Sequence, residues 1–252
     1  MDRARSDARF DGLGMDVRPP LQKLEIAHAA AIGAWGIEVD LTLYSCDART
    51  ADGVSRGLAY VAEFEDILDL ENRQDWRAAE VCDRTPEASP YHEIGPKGLS
   101  GRFLYGYARN FGFVQFVHHR LDERFTTSIF NWDFYQGKEL TVRFPQIPPG
   151  TYCVSLYRDG ARFHCTNGTH QTWSAEQLQR GIALEVPAGG ICVVDIGPRL
   201  RPGYTVPVAA ASPAEPGQAL TLYGWRRPPS EGDMQVFKAA AHDAFMERMK
   251  KR

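Results

Sequence analysis

The side chains with the clearest chemical potential lie on one short segment, Gly36 to Ser45 (GIEVDLTLYS). Read as a strand, it projects Glu38, Asp40, Thr42 and Tyr44 from one face and Ile37, Val39, Leu41 and Leu43 from the other. Carboxylates beside a tyrosine could form an active-site face. The pattern fits two other readings as well, a strand with a solvated face and a structural polar network. Cleavage of a glycosidic bond needs an acid and a second carboxylate on opposite sides of the bond. Residues two apart on one strand side are about 7 Å apart along it, so Glu38 and Asp40 would flank the same wall. Spacing alone gives neither of them a role, and no catalytic pair can be assigned.

A second group is aromatic. Phe103, Tyr105, Tyr107, Phe111, Phe113, Phe116, Phe130, Trp132, Phe134 and Tyr135 crowd one stretch. Trp132 and Tyr135, with Trp173 further on, could form a stacking platform for carbohydrate, although a sandwich core uses as many rings. His118 and His119 would point to opposite faces of a strand and cannot share a metal from it. His164-Cys165 near His170 has no third orienting group. Glu63, Glu65 and Asp66 fall on the polar side of a helical stretch and read as a solvated face. Asp122-Glu123 is another acidic pair. Five cysteines (Cys46, Cys82, Cys153, Cys165, Cys192) are odd in number and lack a CxxC pair. The histidines do not sit at zinc spacings, so no metal is expected. The cysteines read as free thiols of a reducing compartment. A Cys153–Cys165 disulfide and a catalytic thiol are the alternatives. Asn167-Gly168-Thr169 has the form of a glycosylation sequon but reads as a turn. A phosphate loop, a Ser-His-Asp arrangement and a nucleotide fingerprint are all missing, so no cofactor is implied.

These residues need elements to hold them. Pro19-Pro20 opens a helix, Leu21 to Ile32, with Leu21, Leu24, His28 and Ala31 at helical spacing and Gly33 as its stop. After the strand 36–45, Asp52 is placed to cap a second helix that runs to Leu70 with Val54, Leu58, Val61, Phe64 and Leu68 as its stripe. Residues 82–100 read as a linker. Eight strands are expected beyond it: Arg102–Asn110, Phe113–His119, Thr126–Trp132, Leu140–Phe144, Thr151–Arg158, Ala161–Cys165, Gly181–Val186 and Ile191–Ile196. Asp159-Gly160 between two of them is a hairpin signal. Pro198 to Pro216 is Pro- and Ala-rich and can be neither a central strand nor a regular helix. Residues 234–250 form an amphipathic helix with Phe237, Ala241, Phe245 and Met249 on one side.

Composition bounds the function. The 252 residues are 43% hydrophobic and 24% charged, which excludes disorder as a description of the whole chain. The formal net charge of −3 supplies no field for nucleic acid. No apolar run approaches the ~18 residues of a membrane span. The first residues lack the apolar core of a secretory signal, so the cytoplasm is the default location.

Two stretches resemble a known family. LQKLEIAHAAAIGAWGIEVDLTLYS with ADGVSRGLAYVAEFEDIL looks like the seventh helix, eighth strand and eighth helix of a TIM-barrel glycoside hydrolase. FNWDFYQGKELTVRFPQIPPGTYCVSLYRDG with WSAEQLQRGIALEVPAGGICVVDIGP looks like the accessory sandwich that follows such a barrel. The resemblance implies an α+β chain in three parts: an α/β segment over 1–81, an antiparallel β-sandwich over 100–198, and a Pro-rich linker with a C-terminal helix over 199–252. It implies that Glu38, Asp40 and Tyr44 face a barrel lumen and that the catalytic carboxylates of the family precede residue 1. The expected partner is carbohydrate, bound also by Trp132 and Tyr135. A second copy of the chain or a preceding barrel portion would complete the assembly. The competing expectation is a non-catalytic sugar-binding or oligomerisation module.

Overall fold

The computed structural model describes residues 18–34, 48–74, 78–85, 114–133, 136–213, 215, 217–220 and 231. The expected strands 36–45 and 102–110 and the expected helix 234–250 lie outside these residues, as do Cys46 and most of the stretch 82–100.

Among the described residues two helices come first, α1 (Arg18–Ala31) and α2 (Ala48–Phe64). α1 ends as the sequence suggests: Ala34 N–H reaches the Ala29 carbonyl and Gly33 N–H the Ala30 carbonyl, a Schellman closure. α2 starts earlier than expected. Asp52 is its fifth residue, not its cap, and its carboxylate pairs with Arg56 one turn on at 2.8 Å. The helix also stops at Phe64, and Leu70–Asn72 form a separate short 3-10 turn capped by Asp69. The buried stripe of α2 is Val54, Tyr60 and Phe64, continued by Ile67 beyond its end, while Leu58 is exposed. Of the expected stripe, Val54 and Phe64 are buried, Val61 and Leu68 pack against the core, and only Leu58 faces out. A Cβ at Gly57 would meet the Ile26 Cβ at 2.9 Å, so the glycine is a point where the two helices touch.

The rest is sheet: β1 (Glu80–Asp83), β2 (Val114–Leu121), β3 (Arg124–Asn131), β4 (Lys138–Arg143), β5 (Thr151–Arg158), β6 (Ala161–Asn167), β7 (Trp173–Ser174), β8 (Ile182–Val186), β9 (Ile191–Gly197), β10 (Val206–Ala210) and β11 (Gln218–Ala219), with a short helix α3 (Ala175–Arg180) before β8. One open sheet runs β11-β1-β4-β8 and the other β10-β6-β5-β9-β3-β2, with β7 joined to β5. The pairings are antiparallel except β10 on β6, which is parallel. The two sheets share a core of Val81, Leu140, Val142, Ile182 and Leu184 from one side and Ile129, Val154, Leu156, Val194 and Ile196 from the other. The molecule is a sheet-rich α+β protein.

The turns show local chemistry at work. Asp159 and Gly160 have φ of +46° and +93°, the positive pair that a two-residue hairpin requires. Asp122-Glu123 makes the β2–β3 turn with Asp122 at φ +54°, so this acidic pair is turn chemistry. Two linker expectations are corrected. Glu80–Asp83 forms a strand paired to β4 and β11, because Val81 fills the core between sheets. Within 198–216, Val206–Ala210 adds an edge strand, a place where Pro207 is tolerated.

Candidate functional site

The register defines what each face of the larger sheet carries. Toward the helices project Phe130 and Ile191, then Val117, Ser128, Val193 and Tyr157, then His119, Thr126, Asp195, Ser155 and His164. The first two rows are largely apolar. With Leu24, Ala27, Ala31, Tyr60, Phe64, Ile67 and Tyr204 they form a second core beneath α1 and α2. Tyr60 donates to Ser128 Oγ at 2.8 Å inside it. Burial pushes the Tyr60 phenol well up, so it remains a donor.

The third row is polar and buried, and it is covered by charge. Arg124 is bidentate on Asp195, with Nε at 2.9 Å from Oδ1 and Nη2 at 2.8 Å from Oδ2. Its Nη1 reaches Asp66 Oδ2 at 2.5 Å. Arg201 bonds Glu63 Oε1 through Nε at 2.9 Å, donates from Nη2 to the Glu63 carbonyl, and reaches Asp195 from Nη1 at 3.4 Å. Glu63 also holds Arg162 at 2.5 Å and accepts from the Tyr204 hydroxyl at 3.1 Å. Arg201 lies over the Phe64 ring, 4.9 Å from its centroid. Burial works against the Arg124 charge, but Asp195 and Asp66 outweigh it and hold the guanidinium protonated. Glu63, expected on a solvated face, has a side chain only 9% exposed, whereas Glu65 is exposed and Asp66 is 55% exposed. The acidic cluster is the charged edge of α2, and it fastens the helix pair to the sheet. Lys23 of α1 adds a second tie, to Asp159 at the β5–β6 hairpin, at 2.5 Å.

The order of this row is not that of a Ser-His-Asp relay. Asp195, Ser155 and His164 are direct neighbours across β9, β5 and β6, but serine stands in the middle, where a relay needs histidine. His164 Nε2 is also engaged with the Gln171 carbonyl at 2.9 Å. Two of the other described histidines, His28 and His119, pack among neighbouring side chains. His28 packs 5.0 Å from Phe130 and 5.9 Å from Trp132 between ring centroids. Burial, aided by Arg73, lowers its pKa to about 4. Burial also lowers His119 to about 4, against a backbone contact with Ala31. Cys82, Cys153, Cys165 and Cys192 are free thiols, so Cys153 and Cys165 do not pair. Burial pushes Cys165 and Cys192 up to about 12, which removes them as nucleophiles.

Of the expected sugar-binding residues, Glu38, Asp40, Tyr44 and Tyr135 lie outside the described residues. Trp132 is half-buried with its ring against His28, at the margin of the second core. Trp173 is fully buried, donates from Nε1 to the Cys165 carbonyl at 2.9 Å, and is core, not platform. The clamp of Glu63, Arg124, Asp195 and Arg201 was missed. Arg124 and Arg201 sit beside turns, and only the folded register brings them to Asp195. No group of three or more His, Cys, Asp or Glu among the described residues could hold a metal ion, and no described helix is long and apolar enough to cross a membrane.

No family model matches the chain, and no curated protein matches it. Among solved structures it is similar to a GH30 endoxylanase from Clostridium papyrosolvens, at 14% identity and a TM-score of 0.23, over 41% of this chain. The match spans 31% of that protein's length.

Proposed function

We propose that this chain is a carbohydrate-active protein of glycoside hydrolase type, comprising the last α/β unit and the accessory sandwich of a barrel enzyme, without a complete catalytic pair of its own. The observation that supports this reading is the clamp between the helix pair and the sheet. The segment with Glu38, Asp40 and Tyr44 links α1 to α2 in sequence. Fixing both helices to the sandwich therefore fixes both ends of that segment, as a substrate wall requires. The carboxylates of the clamp are consumed by arginines, and none of them is placed to protonate a leaving group.

Binding and turnover separate in this reading. Glu38, Asp40 and Tyr44 bind sugar hydroxyls and stack on a ring, and Trp132 and Tyr135 add affinity. General acid and nucleophile must approach a glycosidic bond from opposite sides, and residues on one face of the expected strand 36–45 could not do so. The purified chain, assayed against aryl glycosides and a polysaccharide panel, is expected to show no turnover and weak retention by polysaccharide. Turnover abolished by Glu38→Gln or Asp40→Asn would show that the active site is here after all.

A further inference from the structure

We propose that Asn167 is a site of spontaneous covalent modification: the backbone nitrogen of Gly168 attacks its carboxamide, and the deamidation that follows loosens the edge strand β10. This inference is independent of the carbohydrate reading. Asn167-Gly168 is the one Asn-Gly pair in the chain, since Asn72, Asn110 and Asn131 precede Arg, Phe and Trp. Glycine leaves the attacking nitrogen unshielded, because no side chain stands beside it.

The fold presents this pair in a form that can react. Asn167 ends β6, and Gly168 and Thr169 make a two-residue turn. Asn167 N–H donates to the His170 carbonyl at 2.9 Å, and His170 N–H to the Asn167 carbonyl at 3.0 Å. Gly168, Thr169 and His170 are exposed, so water reaches the turn. A Cβ on Gly168 would meet nothing within 4 Å, which leaves the backbone room to rotate. Gly168 N–H is restrained by the Ala210 carbonyl at 3.4 Å, a long hydrogen bond. The Asn167 carboxamide is half-buried, and no side-chain hydrogen bond among the described residues holds it. Asn131 is the contrast: it is buried, and its Nδ2 donates to the Gln136 and Pro187 carbonyls at 2.9 Å each.

The reaction needs only water. The Gly168 N–H proton passes to hydroxide, the nitrogen bonds to Asn167 Cγ, and the Cγ–Nδ2 bond breaks to release ammonia. Water then opens the cyclic imide at one of its two C–N bonds. One product is aspartate, and the other is isoaspartate, whose main chain runs through Cβ and Cγ and is one carbon longer. Both carry a new carboxylate. Asn167 is the partner of Ala210 in the parallel β6–β10 register, and Val208 and Ala210 pack on the sandwich core. The added carbon draws Gly168 off the Ala210 carbonyl, and the end of this pairing frays.

The test ages the full chain in mildly alkaline buffer at 37 °C and follows each asparagine by peptide mass spectrometry. Asn167 should convert about tenfold faster than Asn72, Asn110 or Asn131, to both aspartate and isoaspartate. Gly168→Ala should slow it by a similar factor, with near-UV circular dichroism confirming the fold, and Asn167→Gln should remove it. In the aged chain, amides of 206–210 should exchange faster while those of β5 and β9 do not change. Asn167→Asp, which adds the charge without the extra carbon, should give a smaller effect. Conversion at Asn167 no faster than at Asn72, or unaffected by Gly168→Ala, overturns the site. Conversion with exchange at 206–210 unchanged overturns the loosening of β10.

Discussion

His119 shows how one buried side chain sets a property of the whole chain. Its ring sits on the helix-facing side of β2, 2% exposed, in the polar row with Thr126 and Asp195. With a folded pKa of about 4 against about 6.5 unfolded, the unfolded chain binds the extra proton between these values. The folded pKa is the lower one, so stability is full above pH 6.5 and is lost as pH falls toward 4. His28 follows the same sign. Urea denaturation at pH 7.5 and pH 5.0 should show a drop for the native chain, with about 1–2 kcal/mol of it assignable to His119. His119→Gln, which cannot titrate, should lose correspondingly less between the two values. An equal drop in both proteins would contradict a neutral, buried His119. Residue identity told which groups could titrate, but not which were buried. His118 and His119 were readable as facing opposite ways, because strand alternation is local.

At the scale of elements, what was legible and what was not divide along the same line. The hairpin at Asp159-Gly160 and the stop at Gly33 were readable because each depends on backbone dihedrals over two or three residues. The strand Thr151–Arg158 was expected with its observed bounds for the same reason. The start of α2 was misread because Asp52 has the right chemistry for a cap, yet pairs with Arg56 inside the helix. Glu63 was misread because a carboxylate on a helix is usually solvated. Its partners Arg162 and Arg201 are far along the chain, and only the folded structure brings them to α2. The clamp has a measurable weight. Glu63→Gln keeps the shape of the side chain but leaves Arg201 without its main counter-charge. Removing one partner of a largely buried pair is costly, so a loss of about 2–4 kcal/mol is expected in thermal or urea unfolding. A double-mutant cycle with Arg201→Met should recover part of that loss. A loss below about 0.5 kcal/mol would reduce the network to surface decoration.

At the scale of the molecule, one sheet has two cores, one on each face. β9 is the shared wall: Cys192, Val194 and Ile196 face the sandwich interior, and Ile191 and Val193 face the helices. The sequence places four apolar residues in a row at 191–194, as burial on both faces of the strand requires. It did not show that the second face is covered by α1 and α2, since that depends on tertiary placement of segments far apart in the chain. The proposed function depends on this arrangement, because a wall segment between α1 and α2 is fixed only if the helices are part of the same cooperative body as the sheet. Native-state hydrogen exchange tests this most directly. Amides of α1 and α2 at Leu24, Ala27, Tyr60 and Phe64 should open with the same free energy as those of β5 and β9, and Glu63→Gln should lower both sets together. Helix amides that exchange by a separate, much cheaper opening, while β5 and β9 keep their protection, would contradict the account.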